Sequence, residues 1–146
     1  MATVSKKIAI KAPVEKVFSF VVSPDNWTRY VTSLTDVRDV SSPDAGVDTT
    51  FKWEYRMMGM KFHGRGRVTE NVKNRKFGLM MEGSFPITET YTFSKVDSGT
   101  ELGIEIEYEV PGKIMSVVAN KGLVEKMNKK ESEAVLSKIK LLCEGL

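Results

Sequence analysis

Residues Phe51 to Val68 read FKWEYRMMGMKFHGRGRV, and this stretch decides the fold. In a β-strand, successive side chains point to opposite faces of the sheet. Phe51, Trp53, Tyr55 and Met57 form one row, against Lys52, Glu54 and Arg56 in the other. After Met58-Gly59 the pattern resumes, with Met60, Phe62, Gly64, Gly66 and Val68 against Lys61, His63, Arg65 and Arg67. A two-residue turn at Met58-Gly59 sets Met57 opposite Met60. Both apolar rows then share one face, so the pattern and the turn specify the same register. A hairpin that is apolar on one side and charged on the other needs a cover for its apolar side.

The alternation continues in both directions. Phe77, Leu79 and Met81 mark the next strand. The stretch FPITETYTFSK, Phe85 to Lys95, splits into Ile87, Glu89, Tyr91, Phe93 and Thr88, Thr90, Thr92, Ser94. Asp97-Ser98-Gly99 reads as a hairpin turn. Beyond it, Leu102, Ile104, Ile106, Tyr108 and Val110 alternate with Glu101, Gly103, Glu105, Glu107 and Glu109. Toward the start, Ile8 and Ile10 alternate with lysines in KKIAIKA, which suggests a first strand. Pro13 fits the first turn of a helix whose apolar face is Val14, Val17, Phe18 and Val21. Ser23 and Pro24 can start a second short helix, which carries Trp27 and Tyr30. After Pro111-Gly112 the spacing of apolar residues predicts one long amphipathic helix from Ile114 to Leu142, irregular at Asn120 to Gly122.

The order is strand, two short helices, six strands, long helix. This predicts an α+β fold in which a seven-stranded curved antiparallel sheet grips a long C-terminal helix. That helix is the only element large enough to cover the apolar face. A strongly twisted sheet need not close completely around it. The space left between helix and sheet is the functional opportunity.

The chain of 146 residues is 41% hydrophobic and 28% charged, which suits one folded domain over residues 1–146. A net charge of +3 gives no case for nucleic acid, whose binding calls for a clustered basic face. The basic run KFHGRGRV keeps Phe62 on the opposite face from its cations, and cross-strand pairing explains those charges. The glutamate row of the last strand is likewise expected to sit beside Lys7 and Lys11 of the first. Cys143 is a lone cysteine, and no segment has the length of a signal peptide core or a membrane span. The expected compartment is the cytoplasm, without membrane insertion. The sequon Asn26-Trp27-Thr28 has no secretion signal behind it.

Order and spacing resemble a known family. IAIKAPVEKVFSFVVSPDNWTRY is similar to the opening of the START-related, birch-pollen-allergen-like helix-grip superfamily, also called SRPBCC. DSGTEL is similar to its last hairpin, and Ile114 to Leu142 to its grip helix. Within it, the chain most resembles the polyketide cyclase/dehydrase and lipid-transport branch. The superfamily includes carriers, sensors, cyclases and oxygenase subunits, so the resemblance implies the fold and leaves the substrate open.

Catalytic sets are scarce. His63 is the single histidine and shares its row with Lys61, Arg65 and Arg67. No nucleophile–base pair, phosphate loop or dinucleotide fingerprint is present. One histidine and one distant cysteine cannot make an ordinary zinc site or a two-His-one-carboxylate iron site, so neither metal nor other cofactor is expected.

The expected ligand is a hydrophobic small molecule, lipid, polyketide-like or isoprenoid-like, held by a carrier or sensor. Its walls are expected from Trp53, Tyr55, Tyr91 and Tyr108, with Met57, Met60, Met81 and Met127 as adaptable contacts. Phe62, Leu79 and Val118 complete the apolar lining, and Trp27 and Tyr30 are expected at the cavity entrance. Gly64 and Gly66 fall on the apolar row, where missing side chains either bend the sheet or leave cavity volume. On the second reading, Gly64→Leu fills the cavity without unfolding the protein.

Glu89 stands between Ile87 and Tyr91 on the apolar row. Three readings compete: a solvated strand end, a structural partner for a tyrosine or arginine, or the polar anchor or acid/base of a cavity. The enzyme alternative is a cyclase or dehydrase using Glu89 with a tyrosine. A third class is an interaction module, a chaperone-type regulator or a quinone-delivery partner, with the protein partner unassigned.

Overall fold

The computed structural model describes residues 2–57, 59–83, 86–109 and 121–145. The elements are β1 (Ala2–Ile10), α1 (Val14–Val22), α2 (Pro24–Tyr30), β2 (Leu34–Arg38), β3 (Thr50–Met57) and β4 (Met60–Val72). They continue with β5 (Lys76–Gly83), β6 (Ile87–Val96), β7 (Gly99–Tyr108) and α3 (Lys121–Gly145). One antiparallel sheet holds all seven strands in the order β1-β7-β6-β5-β4-β3-β2. This is the predicted helix-grip architecture. Met58 of the predicted turn, the helix start at Ile114 and the ligand contact assigned to Val118 lie outside the described residues.

The hairpin register is the one that the pattern requires, with Met57 opposite Met60 and Trp53 opposite Gly64. Phe51, Trp53, Tyr55, Met57, Phe62 and Val68 are buried in the core. On the outer face Lys61 meets Glu54 at 3.1 Å, Lys52 meets Asp39 at 3.2 Å and Lys7 meets Glu101 at 3.7 Å. Exposed pairs of this kind stabilise little individually and chiefly keep the outer face soluble. Lys11 lies beyond the end of β1, outside its register with β7, and its backbone N–H donates to Glu144 of α3.

Curvature comes from a close crossing. Gly64 of β4 faces Gly83 of β5. A Cβ on Gly64 would run into the carbonyl oxygen of Glu82 and lie 2.9 Å from the Trp53 ring. One on Gly83 would lie 2.6 Å from the carbonyl oxygen of His63. A register shift between Val68 and Glu70 bends β4 further. The Phe51 ring covers Gly66 in the same way that Trp53 covers Gly64. The glycines therefore create no ligand volume, because a backbone and two aromatic rings already occupy it.

The edge strand β1 is closed by α3. Lys140 donates to the carbonyl of Ala9 at 3.1 Å, Glu144 accepts the Lys11 N–H at 2.8 Å, and Lys6 pairs with Glu133 at 3.1 Å. The first two occupy backbone groups that a bare edge would offer to another chain, and the third places charged side chains along it. Below them Val135, Leu136, Ile139 and Cys143 are buried in the same core as Val4, Ile10 and Leu102.

The corner between α1 and α2 corrects another expectation. The last carbonyls of a helix have no partner within it. Asn26 Nδ2 donates to the carbonyl of Phe20 at 2.9 Å. The carbonyl of Val21 accepts both Trp27 Nε1, at 3.1 Å, and the Tyr30 hydroxyl, at 2.8 Å. Trp27 and Tyr30 are consequently 2% and 1% exposed, and they are core anchors rather than entrance residues. Pro13 precedes α1 instead of lying in its first turn, and Ser23 occupies the N-cap of α2 without a side-chain cap bond.

Gly64→Leu is expected to destabilise the fold by about 3 kcal/mol or more, because it overpacks against backbone. Tyr30→Phe is expected to cost about 1 kcal/mol through the lost bond to Val21. Urea titrations followed by tryptophan fluorescence measure both.

Candidate functional site

The inward row of β6 is Ile87, Glu89, Tyr91 and Phe93, all buried. Within the sheet, Glu89 lies between Leu79 of β5 and Ile106 of β7. Tyr91 lies between Phe77 and Ile104. Glu89 is therefore flanked by aliphatic side chains and is only 6% exposed, which removes the solvated strand-end reading.

The Tyr91 hydroxyl donates to Glu89 Oε2 at 3.2 Å. It also lies beside the Tyr30 hydroxyl, and the two rings meet edge to face at 6.2 Å. From the other side, the Tyr55 hydroxyl faces Glu131 of α3 and Ser33. Glu131 Oε1 is buried and has no hydrogen-bond partner among the described residues.

Burial pushes the Glu89 carboxyl up to about 7 from an ordinary 4.5, the Tyr91 hydrogen bond opposes this, and the Glu131 charge adds to it. Burial, followed by the charge of Glu89, holds Tyr91 and Tyr30 well above the ordinary tyrosine range. Tyr55 is raised by burial first, then by Glu131 and Glu89.

A small cavity adjoins this cluster. Its walls are Leu79, Met81, Glu89 and Tyr91 from the sheet's middle, Phe51 and Tyr55 from β3, and Trp27, Tyr30, Val31 and Leu34 from the α2 side. About 10 Å³ is open to the centre of a water-sized sphere, room for roughly one water. Of the residues read from the sequence as ligand contacts, the structure brings Tyr55, Leu79, Met81, Glu89 and Tyr91 to this cavity. Trp53, Met57, Phe62 and Tyr108 are buried on the same face but do not line it, and Met60 and Met127 pack half-buried at the core's edge.

Sequence reasoning missed the polar row on α3. Asn128 and Ser132 are buried and Glu131 is half-buried. Ser132 Oγ donates to the Lys129 carbonyl at 2.8 Å, and Asn128 hydrogen-bonds Tyr108. Counting from Cys143 through Ile139 and Val135 by threes and fours reaches Ser132, Glu131 and Asn128, so helical period was the available signal. His63 is exposed, and no group of three metal-ligating side chains occurs among the described residues. No described helix is long and apolar enough to cross a membrane.

A curved sheet around a helix, with a polar cluster enclosed between them, defines a helix-grip protein. The chain belongs to the polyketide cyclase / dehydrase and lipid transport family, whose sequence model matches residues 1–144. TTHA0849 from Thermus thermophilus has the same fold at 21% identity, with a TM-score of 0.80 over 95% of this chain and 94% of that one. The di-domain ARO/CYC StfQ from the steffimycin biosynthetic pathway is 10% identical, with a TM-score of 0.77 over 98% of this chain and 50% of that one. Ara h 8.0201 is 10% identical, with a TM-score of 0.67 over 99% of each chain. At these identities the likeness is one of fold. No curated protein gives a significant match. Family and fold are consistent with hydrophobic ligand binding or a cyclase/dehydrase-like activity.

Glu89 links stability to pH. Its folded value, about 7, lies above the ordinary 4.5, so its neutral form favours folding fully below pH 4.5 and that contribution is lost as pH rises through 7. The loss amounts to about 3 kcal/mol. Glu89→Gln is expected to flatten the stability curve across this window and to raise stability at pH 8 by about 2 kcal/mol. Chemical denaturation at a series of pH values tests this.

Proposed function

We propose that this protein binds a hydrophobic small molecule between its sheet and α3, as a carrier or sensor, with Glu89 as the polar anchor. The observation that carries the reading is the burial of Glu89 among Leu79, Ile106 and Met81. An aliphatic residue there would avoid the desolvation cost, so a carboxylate in that wall points to a use beyond folding. An apolar lining with a few converging polar groups is what a small-molecule site requires.

The cavity's present size, about 10 Å³, adds a condition. A lipid-, polyketide- or isoprenoid-sized ligand is admitted only when the walls part. Met81 in the lining and Met127 at the core's edge are flexible enough to repack as they do so.

An enzymatic reading is favoured by one contact. The Tyr91 hydroxyl touches Glu89 at 3.2 Å, and a carboxyl held near 7 can take or give a proton at neutral pH. This suits the cyclase or dehydrase chemistry named in the family's description.

Native mass spectrometry of purified protein is expected to show a co-purified apolar molecule, or uptake of an added apolar dye. A protein that carries nothing and takes up no dye would overturn the binding reading. Turnover of a polyketide-like substrate, abolished in Glu89→Gln while binding persists, would select the enzyme.

A further inference from the structure

The donors and acceptors around the cavity are unequally committed. Tyr91 donates to Glu89 at 3.2 Å and Tyr30 to the Val21 carbonyl at 2.8 Å. Trp27 Nε1 donates to the same carbonyl at 3.1 Å. The Tyr55 hydroxyl is directed to Glu131. Each of these side chains holds a single polar hydrogen, so none of the four has one left for a ligand. Acceptors remain. Glu131 Oε1 is buried without a partner among the described residues, and a carboxylate such as Glu89 offers about four lone-pair sites, of which Tyr91 uses one.

The charges are unequal too. Glu89 comes from the sheet and Glu131 from the helix opposite, close enough for their charges to interact. Lys6, on the inward row of the edge strand β1, is part-exposed and already paired with Glu133 at 3.1 Å. With Glu89 and Glu131 both ionised, a fatty acid or phosphate would add a third negative charge to a desolvated site. A ketone or ester would meet acceptors alone whenever both glutamates are ionised.

We propose that the ligand is a hydrophobic amine, whose protonated head is held between Glu89 and Glu131 while its apolar body lies against Leu79, Met81 and Phe51. An ammonium brings three donors and no acceptor, the complement of Glu89 in the cavity wall and of Glu131, which lies behind the wall residue Tyr55. The inference rests on the binding reading above and names its ligand class.

The groups facing Glu89 are Tyr91 on its own strand, Tyr30 from α2, Tyr55 from β3 and Glu131 from α3, with apolar Leu79 and Ile106 on the flanking strands. The tyrosines stay protonated through neutral pH because burial raises them. Glu89 therefore sets the dependence, and amine affinity rises as Glu89 ionises.

The test is calorimetric titration of the whole chain with decylamine, decanol and decanoate, at pH 5.5 and pH 8. Decylamine is expected to bind about tenfold tighter than decanoate at pH 8, and several-fold tighter at pH 8 than at pH 5.5. Glu89→Gln is expected to remove that pH dependence, and Glu131→Gln to weaken decylamine binding while the dependence remains. Circular dichroism establishes that each variant is folded. Decanoate binding as tightly as decylamine, or decylamine binding without pH dependence, would overturn the amine assignment and leave hydrophobic binding standing. Failure of all three ligands to bind would overturn both readings.

Discussion

The carbonyl of Val21 organises the polar interior. It ends α1 without a helical partner, and two side chains of α2 supply one. Trp27 and Tyr30 both reach it, which fixes α2 against α1. That docking sets the Tyr30 hydroxyl beside Tyr91, and Tyr91 in turn holds Glu89. A carboxylate deep in an aliphatic wall thus stands at the far end of a chain of contacts that begins at an ordinary helix terminus. The requirement that buried polar groups find partners connects a corner of the fold to its candidate site.

The sheet contributes through shape. The crossing of β4 and β5 at Gly64 and Gly83 excludes side chains from both positions and bends the surface that faces α3. Bending brings β3, with Tyr55, and β6, with Glu89, toward a common space. The helix answers with two different halves: Val135, Leu136, Ile139 and Cys143 complete the core, whereas Asn128, Glu131 and Ser132 present polar groups. The interior is therefore apolar at one end and polar at the other, and at the polar end Glu89 and Glu131 lie close enough for their charges to interact.

The strands were legible because period two is a local property. Phe51 to Val68 carries its register in its own alternation and in the glycine of its turn. The inward direction of Glu89 followed from the same rule, although its depth depended on neighbours that the strand does not specify. Trp27 and Tyr30 were misplaced at an entrance because their partner, the Val21 carbonyl, is a backbone group and leaves no mark in composition. Gly64 and Gly66 were ambiguous for a related reason: an absent side chain means space or contact according to what crosses it. On α3, tallying apolar residues hid Asn128, Glu131 and Ser132, which fall on the buried face through helical period alone.

The bonds between α3 and the edge of β1 have a mechanical consequence. Lys140 and Glu144 tie the last turns of the helix to Ala9 and Lys11, and the apolar side chains from Val135 to Cys143 lie beneath. The helix is thus clamped most firmly in its last turns, and rotation about that clamp parts it from the sheet once Asn128 releases Tyr108, Glu131 releases Tyr55 and Glu133 releases Lys6. At 1.5 Å per residue, Asn128 lies roughly 18 Å from Lys140 along the axis. A tilt of about 10° would move that part of the helix by about 3 Å at this arm length. A small pivot would therefore suffice to part the walls beside Glu89, while the clamped edge of the sheet stayed closed.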